Sequence, residues 1–320
     1  MKTRILAIAA VLAALPGIAA AQFPSRDIRF VCGFSAGGSC DLVSRIVAEK
    51  LAPVFGQKVI VENKTGASGA IAAADVAKSA PDGHTVLLAT MALHTVLPQM
   101  PGVKMAIDPN KELAPIASLA NVYNMLIASP QSSFKTVAEM IAYAKANPGK
   151  MSYATVGVGS SQHLSGELFQ SMTGTQMLHV PFRGGANALV EITAGRTDIM
   201  FGNMPEFLGQ IAGNGVRPIA FGAAKASPLF PDLPLVSATV PGFTIDNWFG
   251  IAGPAALPAD VIAKWNDALA KIGADKDFQD RMAKNGLDVI IGGPDRLKAM
   301  IEADTKKWGE VIRKANIKAE

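Results

Sequence analysis

Three features of this sequence predict an α/β fold with open, mostly parallel sheets flanked by helices. Short apolar runs alternate with longer amphipathic ones, and the alternation restarts in the second half. Gly-rich turns join apolar run to amphipathic run in both halves, at FSAGGSCD and VGVGSSQ. Aromatic residues make up only 6% of the chain while glycine supplies 30 residues, a balance that suits helices stacked on sheets better than an all-β shell.

The first 21 of the 320 residues read as an export signal rather than as fold. MKTR is a positive start, ILAIAAVLAALPGIA an apolar middle, and Ala19–Ala21 a small-residue cleavage site before Gln22. The apolar stretch is short and Ala-rich for a membrane span, which needs roughly 18–20 apolar residues. Without Lys2 and Arg4 the formal charge falls from +4 to +2, and no basic run accompanies it. Nucleic acid is therefore not expected as a partner. The remaining 299 residues are long enough for two domains.

The elements follow in order. DIRFVCGF reads as a strand, LVSRIVAEKLAPVF as a helix, KVIVEN as a strand, SGAIAAADVAKSA as a helix, and TVLLAT as a buried strand after the PDG turn. FKTVAEMIAYAKANPGK is a helix ending at Asn147-Pro148-Gly149; MSYAT is a strand, and SSQHLSGELFQSMTG a helix stopped by Gly174. MLHVPF, GGANALVEITAGR and TDIMFGN give strand, helix, strand. After a Pro-rich stretch come a strand, NWFGIAG, and two amphipathic helices flanking a shorter one at KDFQDRMAKNG.

The turn Phe34–Asp41 is the first candidate site. Gly37 and Gly38 let backbone amides point inward, Ser39 is placed to cap the following helix, and the helix start favours an anion. Asp41 is expected to face back and brace the turn. The segment Tyr153–Glu167 repeats the arrangement, with Ser160 and Ser161 as donors and His163 either donating to a ligand or packing. Thr90, with His94 close behind, and Asn203 end two further strands. In open α/β sheets ligands sit outside the carboxyl ends of strands, so these loops converge on one cleft.

The chemistry of this set is that of a binder. GVGSSQ breaks the dinucleotide pattern at Gln162, and GASGA misses the nucleophile elbow at Ala70. Ser161 and His163 stand two residues apart on one helical turn and face different directions. No catalytic residue, cofactor or metal is expected. Export places Cys32 and Cys40, the only cysteines, in an oxidising compartment where a bridge is open to them, but two thiols are favoured, because a strand end and the next helix start often splay beyond the ~7 Å between Cα atoms that a bridge tolerates.

FSAGGSCDLVSRIVAEKL, VIVENKTGASGAIAAADVAKSAPDGHTVLLAT, YATVGVGSSQHLSGELF, HVPFRGGANALVEITAGRTDIMF and WFGIAGPAALPADVI resemble the Bug family, the periplasmic solute-binding proteins of tripartite tricarboxylate transporters. The resemblance runs through essentially the whole chain after the signal. It implies a type II periplasmic-binding-protein-like fold with two crossover strands at a hinge: one lobe from 22–121 and 247–320, the other from 122–246. It implies a ligand carboxylate held, partly through water, between Phe34, Ser35, Gly37, Gly38, Ser39, Cys40 and Asp41 on one side and Thr155, Gly159, Ser160, Ser161 and His163 on the other. Ser68, Thr90, His94 and Asn203 join this set. Phe34 either walls the ligand or belongs to the core, and Arg183 either pairs with the carboxylate or is a solvated surface group. Trp248 is assigned to the hinge strand.

Four positions depart from the family pattern. Cys32 stands for an aliphatic, Gly33 for a frequent Pro, Cys40 for a usual Thr, and Gly202 for a common Asp. Loss of an acid at 202 argues against an amine-bearing ligand. The expectation is a monomeric periplasmic receptor for a di- or tricarboxylate or an aromatic carboxylate, delivering it to the large and small membrane subunits of a transporter. A ligand sensor for a membrane signalling partner shares the same pocket, and an exported hydrolase is the other class weighed.

Overall fold

The computed structural model describes residues 23–319. The signal-peptide reading of residues 1–21 lies outside them. β1 (Ile28–Cys32), α1 (Ser39–Phe55), β2 (Val59–Asn63), α2 (Ala70–Ala77) and β3 (Thr85–Thr90) follow the strand–helix alternation of the sequence. A short α3 (Pro109–Glu112) leads into β4 (Leu113–Val122), and one residue later the chain enters β5 (Asn124–Ala128). Then come α4 (Val137–Ala146), β6 (Ser152–Thr155), α5 (Ser161–Thr173), β7 (Leu178–Pro181), α6 (Gly185–Thr193), β8 (Ile199–Asn203), α7 (Met204–Ala212) and β9 (Arg217–Phe221). β10 (Asn247–Pro254), α8 (Ala259–Gly273), α9 (Lys276–Lys284), β11 (Leu287–Gly292) and α10 (Pro294–Lys314) complete the chain.

The strands form two sheets, ordered β11-β4-β10-β3-β1-β2 and β7-β6-β8-β5-β9. The chain passes between sheets twice, from β4 to β5 and from β9 to β10. The α/β architecture is as expected, but the pairing is mixed rather than mostly parallel. β1 pairs parallel with β2 and β3, and β6 with β7 and β8. These are the strands joined by helices, where a crossover returns the chain in the same direction. The antiparallel pairs all involve β4, β5 or β10, the strands at the two crossings. β4 escapes a reading by pattern because Pro115 interrupts it; the β10 register shifts opposite that proline, between Ile251 and Ala252.

The buried faces explain the packing. In β1, Ile28, Phe30, Val31 and Cys32 are all buried, as a central strand covered on both faces requires. Trp265 of α8 is fully buried and meets Phe55 and Phe23 ring to ring. Such a side chain contributes roughly 3 kcal/mol or more, judged by the cost of truncating it. Trp308 does the same for α10.

The two cysteines are bridged, contrary to the thiol expectation. The turn after β1 brings the start of α1 back over the strand end, so the Cα atoms of Cys32 and Cys40 lie 6.0 Å apart, inside the range a disulfide spans.

Candidate functional site

The turn before α1 holds two acids of the protein itself. Gly37 N donates to Asp41 Oδ2 at 3.0 Å, and Arg45 pairs with the same carboxylate. Burial pushes Asp41 up, but the Arg45 guanidinium and the Gly37 amide outweigh it and hold the group below the usual carboxylate range. Asp41 thus braces the turn, as its place in the sequence suggests. Ser39 does not cap its own helix: the N-cap is Gly38, without a side-chain bond. Instead Ser39 Oγ and N donate to Glu206 Oε1 of α7 at 2.7 and 3.3 Å.

The turn before α5 is closed by neutral groups. Ser160 Oγ accepts from His163 N at 3.2 Å, Thr155 Oγ1 from Gly157 N at 3.1 Å, and His163 Nδ1 from Gly159 N at 3.3 Å. The His163 ring packs on His179 with centroids 4.6 Å apart. Burial first, and His179 second, push His163 down to about 3, so it stays neutral. Thr155, Gly159 and His163 therefore shape this turn from behind rather than line the cleft.

Between the turns lies a cavity of about 30 Å³. Phe34, Gly38, Ser39, Cys40 and Thr90 line it from the first sheet's side, and Ser160, Ser161, Gln162, Asn203 and Glu206 from the second. Asn247 and Phe249 of β10 close it. Four of its polar residues form one directed chain of hydrogen bonds. Asn247 Nδ2 donates to Asn203 Oδ1 at 2.8 Å, Asn203 Nδ2 to Ser39 Oγ at 2.8 Å, and Ser39 Oγ to Glu206. Asn247 Nδ2 also reaches Ser161 Oγ at 3.4 Å. Each link donates in the same sense, so the chain ends on an acceptor, the Glu206 carboxyl group.

Other sequence candidates lie elsewhere. Phe34 partitions the cleft from a side cavity of about 230 Å³ that Ser68 and Arg183 line; Arg183 is exposed there. Ser68 Oγ donates to Val158 O at 2.6 Å, tying its own turn to that of α5. His94 faces an outer groove with Asn110, bonded at 3.0 Å and stacked on Trp248. Gly37 lines an outer surface beside Ala186, and the Ser35 hydroxyl is buried without a partner outside the cleft lining. Trp248 donates to Asp304 of α10 and stays out of the cleft. Three polar lining residues, Gln162, Glu206 and Asn247, were missed. Gln162 had a signal, as neighbour to two serines at a helix start. Glu206 reads as a routine acid in a first helical turn, and Asn247 as the first residue of a strand.

Residues 43–317 match the family model described as "Tripartite tricarboxylate transporter family receptor". The chain belongs to this family. Protein BugT of Bordetella pertussis is 30% identical over 99% of this chain and 98% of its own length. A Cupriavidus necator relative, described as a UPF0065 protein in the gbd 5′ region, is 31% identical over 96% and 93%. Among solved structures, R. palustris Rpa4515 with adipate superposes with a TM-score of 0.90 at 30% identity, covering 92% of this chain and 99% of that one. MatC from Rhodopseudomonas palustris with bound malate gives a TM-score of 0.86 at 28% identity, over 91% and 100%. The two-sheet α/β architecture of this receptor family is thus shared over nearly the full length.

Proposed function

We propose that this receptor captures a small organic acid, a di- or tricarboxylate or an aromatic carboxylate, between two lobes and hands it to the membrane subunits of a tripartite transporter. The lobes are 22–121 with 247–320, and 122–246. The chain acts in the periplasm as a monomer after losing residues 1–21. The observation that carries the reading is the cleft itself, where hydroxyls, amides and helix starts from both sheets converge on one site. Such dipoles in a closed cleft can balance a carboxylate. Adipate in Rpa4515 and malate in MatC support an acid of this size. A cavity of about 30 Å³ has room for only a few waters, so the lobes must part to admit the ligand, which then stabilises the shut form.

The same geometry supports a binder without catalysis. Ser161 Oγ is engaged with Gln162 Oε1 and Asn247, while His163 turns its Nδ1 to the Gly159 amide. The nucleophile–base contact of a hydrolase is absent among these residues.

A thermal-shift screen over aliphatic dicarboxylates, citrate and aromatic acids tests the reading. At least one acid should raise the melting temperature by several degrees at a hundredfold excess over its Kd. Ser161→Ala should then weaken that acid about five- to tenfold, the worth of one hydrogen bond, with circular dichroism unchanged. No stabilisation by any acid would end the receptor reading.

A further inference from the structure

Resting on the receptor reading above, we propose that Glu206 contacts the ligand and holds the organic anion as a neutral acid, so that each capture takes up one proton from solvent. The carboxyl group of Glu206 sits between two helix starts. It accepts from Ser39 at the head of α1, and it lies so close to Gly185 at the head of α6 that a β-carbon there would run into it. Oε1 takes both Ser39 donors. Oε2 is buried and has no partner, and Glu206 lines both the cleft and the outer surface beside Gly37 and Ala186. A buried oxygen left unpaired in an otherwise fully linked polar chain is the place where a ligand group completes the set.

The charges around it decide which group. Among the described residues that line the cleft there is no Lys, Arg or His. Asp41 and Arg45 of α1 are paired with each other, and Glu191 of α6 with Arg196. His163 of α5 stays neutral, and α7 carries no other titratable side chain. Arg183, just before α6, lines the side cavity. Asn203 and Asn247, from β8 and β10, are neutral. No cation therefore stands ready to offset two carboxylates in one dry space, and such a pair shares a proton. The proton comes from water, ends on Oε2, and is donated in a hydrogen bond to the ligand carboxylate, which remains an anion. Burial pushes Glu206 up to about 7 before any ligand enters, even with the Ser39 hydrogen bonds pulling the other way. An incoming anion raises it further.

This chain has Gly202 where the family pattern commonly has an Asp, and its acid at the cleft is Glu206 of α7. Its role here is the reverse of a carboxylate that accepts from a ligand's ammonium group, because a protonated Glu206 gives a hydrogen bond instead of receiving one.

Titration calorimetry with adipate, succinate, malate, benzoate and aspartate tests this. Between pH 7.5 and 8.5 the affinity for the acid that binds should rise about tenfold as pH falls by one unit, since one proton is linked to binding. The apparent enthalpy should change between phosphate and Tris by the ionisation heat of about one proton. Glu206→Gln should keep binding and lose both dependences. Binding without proton uptake, proton uptake that persists in Glu206→Gln, or tighter binding of aspartate than of succinate would each overturn the proposal while leaving the receptor reading in place. Should Glu206→Gln fail to fold, the buffer series on the wild-type protein decides alone. If no acid binds at any pH, the receptor reading falls and this inference with it.

Discussion

The turns that open α1 and α5 share a plan of strand, glycines, serine and helix, yet they are filled differently. At α1 the amides of Gly37 and Ser39 already face carboxylates, from Asp41 and Glu206. At α5 the amides of Gly157, Gly159 and His163 face a hydroxyl, an imidazole nitrogen and a second hydroxyl, all neutral. The α1 turn is thus built around acidic groups and the α5 turn around neutral ones. Ser161 and Gln162, the first residues of α5, line the cleft, and under the proposed function their helix start is where a carboxylate would sit. Similar local grammar fixes the path of the chain; the residues that pack against it from afar fix its charge.

Substitution should separate the two turns most sharply at their glycines. Gly159 has φ of 75°, and an added β-carbon would fall 2.4 Å from Leu97 Cδ2, so Gly159→Ala combines backbone strain with a clash. A loss of about 2–4 kcal/mol in denaturant unfolding is expected. Next in size is the bridge, which only the α1 turn possesses. Reducing Cys32–Cys40, separated by 8 in sequence, should cost roughly 2–3 kcal/mol, read as a fall in unfolding midpoint on adding reductant.

The third contrast is within the α1 turn and has opposite signs. Glu206 has a native value near 7 against an ordinary 4.5, so the folded form binds its proton more tightly than the unfolded form does. Stability from this group is present below about 4.5 and is lost as pH rises through about 7, an effect of order 1–3 kcal/mol. Asp41 is held down, so its contribution is present above the ordinary 3.8 and disappears as pH falls through its lower native value. Melting curves of wild type and Glu206→Gln should converge near pH 4.5 and diverge toward pH 8, with the variant the more stable; parallel curves would remove Glu206 from the buried wall. The smallest effect belongs to Gly37→Ala. Its φ of 79° is strained for alanine, but Ala186 Cβ is 3.7 Å away, so about 1 kcal/mol is expected and no clash.

Both glycine turns, the parallel strands and most helices were legible because each rests on local rules, such as apolar runs, caps and turn residues. β4, β5, β9 and β11 were not, since they pair antiparallel with strands distant in sequence, and Pro115 and the alanines of β4 hide its pattern. The site divides the same way. Phe34, Gly38, Ser39, Cys40, Thr90, Ser160, Ser161 and Asn203 stand at strand or helix ends and reach the cleft. His94 stands just as near a strand end, but its ring is bonded to Asn110 and stacked on Trp248 outside the cleft lining, a placement no linear pattern encodes. Glu206 is brought to Ser39 across 167 positions, so nothing around either residue announces the pair.

The crossings sit side by side. Val122, where the chain leaves the first sheet, is paired with Asn247, where it returns. The ladder of hydrogen bonds between β4 and β10 ties the two links to each other. If the proposed lobes close, both links would bend together, and one pair of distance labels, on α2 and α6, should follow the change.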